Sequence, residues 1–207
     1  MALLHKATLN PTKPQLITAW LATRPWAERL GEVKPIASYR FDDPAGEVGL
    51  EGILLTDTGG TVVHVPLSYR AAPLEGADDF LVGTTEHSVL GKRWVYDASG
   101  DPVWAAALAN AIVTGGSQSQ EYFEVDGKRE MIEPRMTVRG SGAPDGGPGL
   151  DGLDQPQVRD EGNTTVTRGG DVELVVVRIV GADVATEQTL TGQWRDESAV
   201  LAGLRRV

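Results

Sequence analysis

From Val33 onward the hydrophobic pattern has a period of two, and this pattern limits the possible folds more than any other feature. Three strand-like segments, PIASYRF, VGLEGILLTD and TVVHVPLSYRA, are separated by the turn sequences DDPAGE and TGG. Strands that follow one another through tight turns pair side by side, so the stretch predicts an antiparallel meander. Pro66 cannot donate a hydrogen bond within a sheet, so we expect an edge strand or a bulge at that position.

Two helices are predicted, one before the meander in the chain and one after it. The segment PTKPQLITAWLATRPW places Leu16, Ile17 and Trp20 on one face, which predicts a short helix that covers a sheet. The segment PVWAAALANAIVTGG is apolar on nearly all sides, and it predicts a deeply buried helix. Asp101 is the expected N-cap of this second helix and Pro102 its first residue, while two glycines end it.

Further strands are predicted before and after these elements. ALLHKATL reads as an opening strand, GKRWVYDA as a fourth strand, and SQEYFEVDGKREMIEPRMTVRG as a hairpin with Asp126-Gly127 as its turn. Residues 141–156 are rich in Gly, Pro and Asp, which is typical of a mobile linker or an exposed loop. Beyond them VELVVVRIV predicts a central strand after an RGGD turn, and the tail predicts a closing strand or a short helix.

These elements together predict an α+β fold, with a curved, mainly antiparallel β-sheet packed by two helices and a C-terminal β extension. We expect a first domain over residues 1–140, a loop or linker over 141–156, and a β segment over 157–207. The pattern leaves open whether the last segment extends the same sheet or forms its own.

Composition excludes several classes of function. The formal net charge of −10 repels phosphate backbones and anionic lipids, so neither nucleic acid nor a membrane surface is an expected partner. No cysteine is present, which removes disulfides and thiolate chemistry. No apolar run reaches the roughly 20 residues of a membrane helix, and the N-terminus lacks the pattern of a signal peptide. We therefore expect a cytoplasmic protein.

Candidate catalytic groups are present, but their spacing favours structural roles. His5, His64 and His87 are far apart and form no metal-binding motif. The triplet Glu86-His87-Ser88 has the residue types of nucleophilic catalysis, but neighbours in an extended segment point to opposite faces. Most carboxylates lie in turns, where they cap the backbone. We predict no catalytic residue, metal site or cofactor.

Four residues are the candidates for binding a ligand. On alternation Trp94 and Tyr96 share one strand face, and an exposed aromatic pair of this kind can stack on a sugar. His87 and Glu86 join them because the pattern assigns neither a structural role. Four arginines are instead expected to pair with nearby carboxylates; these are Arg24, Arg40, Arg70 and Arg93.

The stretches VLGKRWVYDASGDPVW and ALLHKATLNPTKPQLITAWLATRPW resemble the N-terminal cap domain of maltokinases. They are more similar still to small stand-alone actinobacterial proteins built around a cap-like domain, some of which carry the label 1,4-alpha-glucan branching protein. The similarity covers about residues 1–140 and centres on an LG-x-RWVYDA-x-GDPV signature between Leu90 and Val103.

This resemblance implies a function as well as a fold. In maltokinases the cap precedes a kinase body that binds ATP and phosphorylates maltose, and here we find no catalytic-loop or DFG-like motif. The segment EGNTTVTRGGDVELVVVRIV is similar to the first hairpin of a kinase, but Arg178 stands where that hairpin would carry Lys. We therefore interpret the segment as part of the β architecture and not as a nucleotide site.

The resemblance thus implies a non-catalytic cap-like module near α-glucan, glycogen, trehalose or maltose metabolism. Its partner is expected to be another protein or a small ligand, and self-association stays open. Two alternatives remain at this point: a carbohydrate-binding domain that uses the concave sheet face, and an α-glucan-acting enzyme with paired carboxylates.

Overall fold

The computed structural model describes residues 1–125, 127–145 and 152–207. Within these ranges the helices are α1 (Lys13–Leu21) and α2 (Pro102–Thr114). The strands are β1 (Ala2–Leu4), β2 (Leu9–Asn10), β3 (Val33–Phe41), β4 (Gly49–Asp57), β5 (Val62–Arg70), β6 (Leu81–His87), β7 (Gly91–Asp97), β8 (Glu121–Val125), β9 (Lys128–Met131), β10 (Met136–Gly140), β11 (Gln157–Glu161), β12 (Thr164–Gly169), β13 (Val172–Val177), β14 (Gln188–Trp194) and β15 (Glu197–Arg206).

The predicted meander is confirmed, because β3, β4 and β5 are consecutive antiparallel neighbours. They belong to a six-stranded antiparallel sheet with the order β2-β6-β7-β5-β4-β3, which we call the first sheet. The prediction of an edge strand or bulge at Pro66 is wrong, since β5 is an interior strand and Pro66 pairs regularly with Gly52 of β4.

The physical reason is the direction in which the missing N–H group of Pro66 would point. His64, two residues earlier, directs its N–H away from β4, to the carbonyl oxygen of Arg178 at 2.9 Å. By alternation the missing donor of Pro66 faces the same side. Pairing between β5 and β7 begins only at Leu67, so the proline interrupts no ladder hydrogen bond.

The C-terminal strands form a second six-stranded antiparallel sheet in the order β10-β14-β15-β13-β12-β11. The predicted central position of VELVVVRIV is confirmed for β13, and the tail is strand β15. β10, from the range 1–140, pairs along its length with β14. The division into 1–140, 141–156 and 157–207 stays a prediction.

A third, small sheet contains β1, β8 and β9, with β1 parallel to β8. The single opening strand predicted over ALLHKATL is therefore wrong. β1 joins the small sheet and β2 pairs with β6 of the first sheet, because the chain crosses between the two sheets after Leu4. The hairpin β8–β9 is confirmed, with Gly127 in a left-handed conformation at its turn. Asp126 lies outside the described residues, as do 146–151 of the predicted loop.

Local sequence signals account for both helices. Thr12 and Gln15 form a capping box at the start of α1, which buries Leu16, Ile17 and Trp20 as predicted. Asp101 caps α2, whose first residue is Pro102, and Gly115 ends it in a left-handed conformation. Both predicted helix boundaries of α2 are confirmed.

The first sheet lies between two apolar cores because its strands present alternate residues to opposite sides. On one side Ile53 and Leu55 of β4 pack with α1. On the other, Leu50 and Leu54 pack with Trp104 of α2 and with the inner face of the second sheet. The α+β class is confirmed, with two packed sheets and one helix on each side of the first of them.

Candidate functional site at the β6–β7 hairpin

The hairpin formed by β6 and β7 carries the four predicted ligand-binding residues. Its register pairs Glu86 with Lys92 and Thr84 with Trp94, so these four side chains share one face. His87 lies opposite Gly91 and projects from the other face. The fold thus brings Glu86 and Trp94 onto one surface and separates them from His87.

Trp94 is half-buried at the end of the first sheet, next to polar and charged side chains. The Lys92 ammonium lies 4.8 Å from the centre of the Trp94 ring, within cation–π range. Arg70 of β5 lies directly opposite Trp94. The Arg70 guanidinium donates two hydrogen bonds to the Asp101 carboxylate, at 2.6 and 2.7 Å, and these hold Arg70 in place. An indole surrounded by charged groups and reachable from solvent can contact either a protein or a sugar.

Tyr96 lies on the Trp94 face but further inside the molecule, where it is only 1% exposed. Its hydroxyl accepts a hydrogen bond of 2.9 Å from the backbone N–H of Leu74, which fixes the connection between β5 and β6. Tyr96 therefore has a structural role that the sequence pattern did not show. Ligand binding by Trp94, Tyr96, His87 and Glu86 stays a prediction.

His87 also has a structural role. Its Nδ1 accepts hydrogen bonds from the backbone N–H groups of Val89 and Leu90, at 3.2 and 3.0 Å, and so closes the hairpin turn. The His5 ring lies edge-on at 6.0 Å. Partial burial, followed by the charges of His5 and Arg93, lowers the pKa of His87. The neutral ring that results is the form able to accept these hydrogen bonds.

Exposed apolar residues occupy the same hairpin. Val89 is 56% and Leu90 44% exposed at its tip, and Leu81 is 37% exposed at the start of β6. Sequence reasoning missed Val89 and Leu90 as surface residues. The available signal was the position of these two apolar residues in a turn, because turns usually carry polar residues that face solvent. Together with Glu86, Lys92 and Trp94, these three residues form what we call the hairpin surface.

Buried charged groups of the first sheet are held by ion pairs. The expected capping role of Asp101 is confirmed, since it accepts a hydrogen bond from the N–H group of Val103, and Asp97 accepts one from the N–H group of Ser99. Two of the four predicted arginine pairings are also confirmed: Arg70 pairs with Asp101 and Arg40 with two glutamates. The alternative of an enzyme with paired carboxylates stays a prediction.

The other two arginines bond elsewhere. Arg24 Nε donates to the Thr23 hydroxyl at 3.0 Å, and the Arg24 guanidinium lies over the Trp20 ring. Arg93 donates to the carbonyl oxygen of Leu90 at 2.6 Å and thereby supports the turn of the hairpin.

Arg178, at the position where a kinase hairpin would carry Lys, is completely buried. It forms a 2.5 Å ion pair with Asp97 and donates to the hydroxyls of Thr165 and Ser99, at 2.7 and 3.0 Å. Its guanidinium also lies 5.3 Å from the centre of the Trp26 ring. These contacts join the second sheet to the first, which supports the interpretation of this segment as architecture.

Within the described ranges no group of three or more His, Cys, Asp or Glu side chains is arranged to hold a metal ion. None of the helices described has the length and apolar character needed to span a bilayer.

Comparison with known families agrees with the resemblance. Residues 20–101 match the maltokinase N-terminal cap domain, which confirms that the chain contains a cap-like domain. The match runs from Trp20 of α1 to the N-cap of α2, and so includes the whole hairpin surface; it is narrower than the 1–140 expected. No curated protein matches the chain.

Proposed function

We propose that this chain is a non-catalytic cap-like module that acts in the cytoplasm by binding another protein. The maltokinase N-terminal cap domain within the chain supports this proposal. One observation carries the proposal: Val89 and Leu90 are adjacent exposed apolar residues at the tip of a single hairpin of the cap, and Leu81 is a third exposed apolar residue at the start of the same hairpin. Neighbouring exposed apolar residues with a polar border are typical of protein interaction surfaces. The family match supports a partner in α-glucan, maltose or trehalose metabolism.

The proposal is tested by a double substitution at the tip of the hairpin. Val89→Asp together with Leu90→Asp places two charges on the surface and removes its apolar contacts. Leu3→Asp is the matched control, because Leu3 is a comparably exposed apolar residue on the small sheet. Immobilised wild type, control and double variant are compared for the proteins that each retains from the native cytosol, and retained proteins are then purified and titrated.

Support consists of one purified protein that binds the wild type and Leu3→Asp with equal affinity and binds the double variant at least about tenfold more weakly. Equal binding by all three chains contradicts the proposed surface. Circular dichroism confirms beforehand that the variants fold.

A second candidate function is carbohydrate binding on the Trp94 face. The half-buried Trp94 indole, with Glu86, Lys92 and Arg70 as polar neighbours, favours it. Saturable binding of maltooligosaccharides that is lost in Trp94→Ala supports this function, and flat titrations of glucose through maltoheptaose remove it. Because Lys92 lies over the indole ring, Lys92→Ala is expected to alter the affinity of a sugar that stacks there.

A further inference from the structure

A polar pocket lies beside β3, the edge strand of the first sheet farthest from β2 and β6 in the strand order, and neither candidate function above uses it. It has a volume of about 270 Å³ and is lined by residues 38–40 of β3, by residues 117–121 and by Ile132, Pro134 and Met136. We call residues 117–120, which follow α2, the SQSQ segment. The sequence pattern placed Ser119 and Gln120 at the start of the predicted hairpin and assigned Ser117 and Gln118 no role.

Hydrogen bonds to three neighbours hold the SQSQ segment in place. Ser119 N–H donates to the carbonyl oxygen of Arg40 at 2.8 Å. Gln118 Oε1 accepts from Val138 N–H at 2.8 Å, and Gln120 Nε2 donates to the carbonyl oxygen of Ile132 at 2.7 Å. The segment is therefore fixed to β3, to β10 and to the connection between β9 and β10. A pocket with walls fixed in this way exists before a ligand binds.

Arg40 and Glu121, which line the pocket, belong to a balanced network of charges. Arg40 pairs with Glu121 at 3.0 Å and with the buried Glu51 at 3.2 Å, and Lys13 pairs with Glu51 at 2.6 Å. Two cations thus face two carboxylates. A charged ligand would bring a charge that this balanced network does not compensate, whereas an uncharged ligand would not.

The groups at the wall are those that recognise hydroxyl groups. Arg40 supplies N–H donors and Glu121 supplies carboxylate acceptors, while Ser38, Ser117 and Ser119 add hydroxyls to the lining. A ligand hydroxyl both donates and accepts, so one such group can bond to Arg40 and Glu121 together. The remaining wall, at Ile132, Pro134 and Met136, is apolar and suits the C–H groups of the same ligand.

The volume sets the size of the ligand. A volume of about 270 Å³ is large enough for a monosaccharide or a cyclic polyol and too small for a long oligosaccharide. We propose that this pocket binds an uncharged, hydroxyl-rich molecule of monosaccharide size, with Arg40 and Glu121 as the principal polar contacts.

The test uses purified full-length chain and defined probes in calorimetric titrations. The uncharged probes are glucose and myo-inositol, and the charged probes of similar size are glucose 1-phosphate and inorganic phosphate. Ser119→Leu places an apolar side chain in the pocket, and Glu121→Gln removes a carboxylate while keeping the shape. Glu124→Gln is the matched control, because Glu124 is exposed on the same strand and does not line the pocket.

We expect at least one uncharged probe to bind, with an affinity about tenfold or more lower in Glu121→Gln and in Ser119→Leu and unchanged in Glu124→Gln. The proposal is overturned when neither uncharged probe binds at about 10 mM, when a charged probe binds more tightly than both, or when Glu121→Gln and Glu124→Gln bind alike. Should Ser119→Leu fail to fold, Glu121→Gln decides the matter alone. Val89→Asp with Leu90→Asp leaves this binding unchanged, so the outcome is independent of the proposed hairpin function.

Discussion

Substitution of Arg178 by Met tests the claim that one buried ion pair joins the two sheets. Met keeps an unbranched apolar side chain beside Trp26 but removes the partner of Asp97, a residue only 5% exposed. Loss of one partner of a buried pair costs about 3–5 kcal/mol, because the other charge stays buried and uncompensated. The free energy of unfolding of a domain is about 5–15 kcal/mol, so this variant is expected to lose a large share of its stability.

Thermal unfolding measures the effect. At about 2–4 °C per kcal/mol for a chain of this length, Arg178→Met is expected to lower Tm by about 6–20 °C. Arg168→Met is the matched control, because Arg168 is an exposed residue of the neighbouring strand β12. Its free energy of unfolding is expected to change by no more than about 0.5 kcal/mol.

A double-mutant cycle separates the ion pair from general loss of packing. Asp97→Asn retains an oxygen that accepts from Ser99 N–H but removes the negative charge. In the Arg178→Met background, Asp97→Asn removes an unpaired charge, so its effect there is expected to be smaller than in wild type by about 1–3 kcal/mol. Additive effects of the two substitutions, or an Arg178→Met chain as stable as Arg168→Met, would refute the reasoning.

Two further predictions concern the stability of the cap. Burial and then Arg178 lower the pKa of His64 to about 3, so below the ordinary pKa of 6.5 the unfolded chain takes up a proton that the folded chain does not. The free energy of unfolding is therefore expected to fall by about 2 kcal/mol between pH 7 and pH 5. Denaturant titrations at the two pH values measure this fall, and it is expected to be smaller in His64→Gln. Burial alone would raise the pKa of Glu51, but Arg40 and Lys13 outweigh this effect and lower the pKa to about 2. The ionised carboxylate therefore stabilises the fold above pH 4.5, and this stabilisation is lost as pH falls towards 2. At pH 7 Glu51→Gln is expected to cost about 3 kcal/mol by urea unfolding, whereas the exposed Glu47→Gln stays within about 0.5 kcal/mol, and equal effects of the two would count against the network.

The amino-acid sequence by itself determined the elements whose signals are local. The period of two around β3, β4 and β5 predicted the meander, because alternation along a strand needs only one buried and one exposed face. Asp101, Pro102 and Gly115 predicted the ends of α2, since a helix cap depends on the few residues beside it. The resemblance over the LG-x-RWVYDA-x-GDPV signature likewise identified the cap, and the match over residues 20–101 confirms it.

Tertiary structure alone decided what depends on contacts between distant parts of the chain. Pro66 lies inside a sheet because its missing N–H group faces the side of β5 on which pairing with the distant strand β7 begins only at Leu67. Alternation placed Tyr96 on the Trp94 face, but only the fold shows that Tyr96 is buried and that its hydroxyl accepts a hydrogen bond from Leu74 N–H. The polar pocket likewise arises where residues 38–40, 117–121 and 132–136 meet. Periodicity reports which face of an element is buried, but it carries no information on which distant segment covers that face.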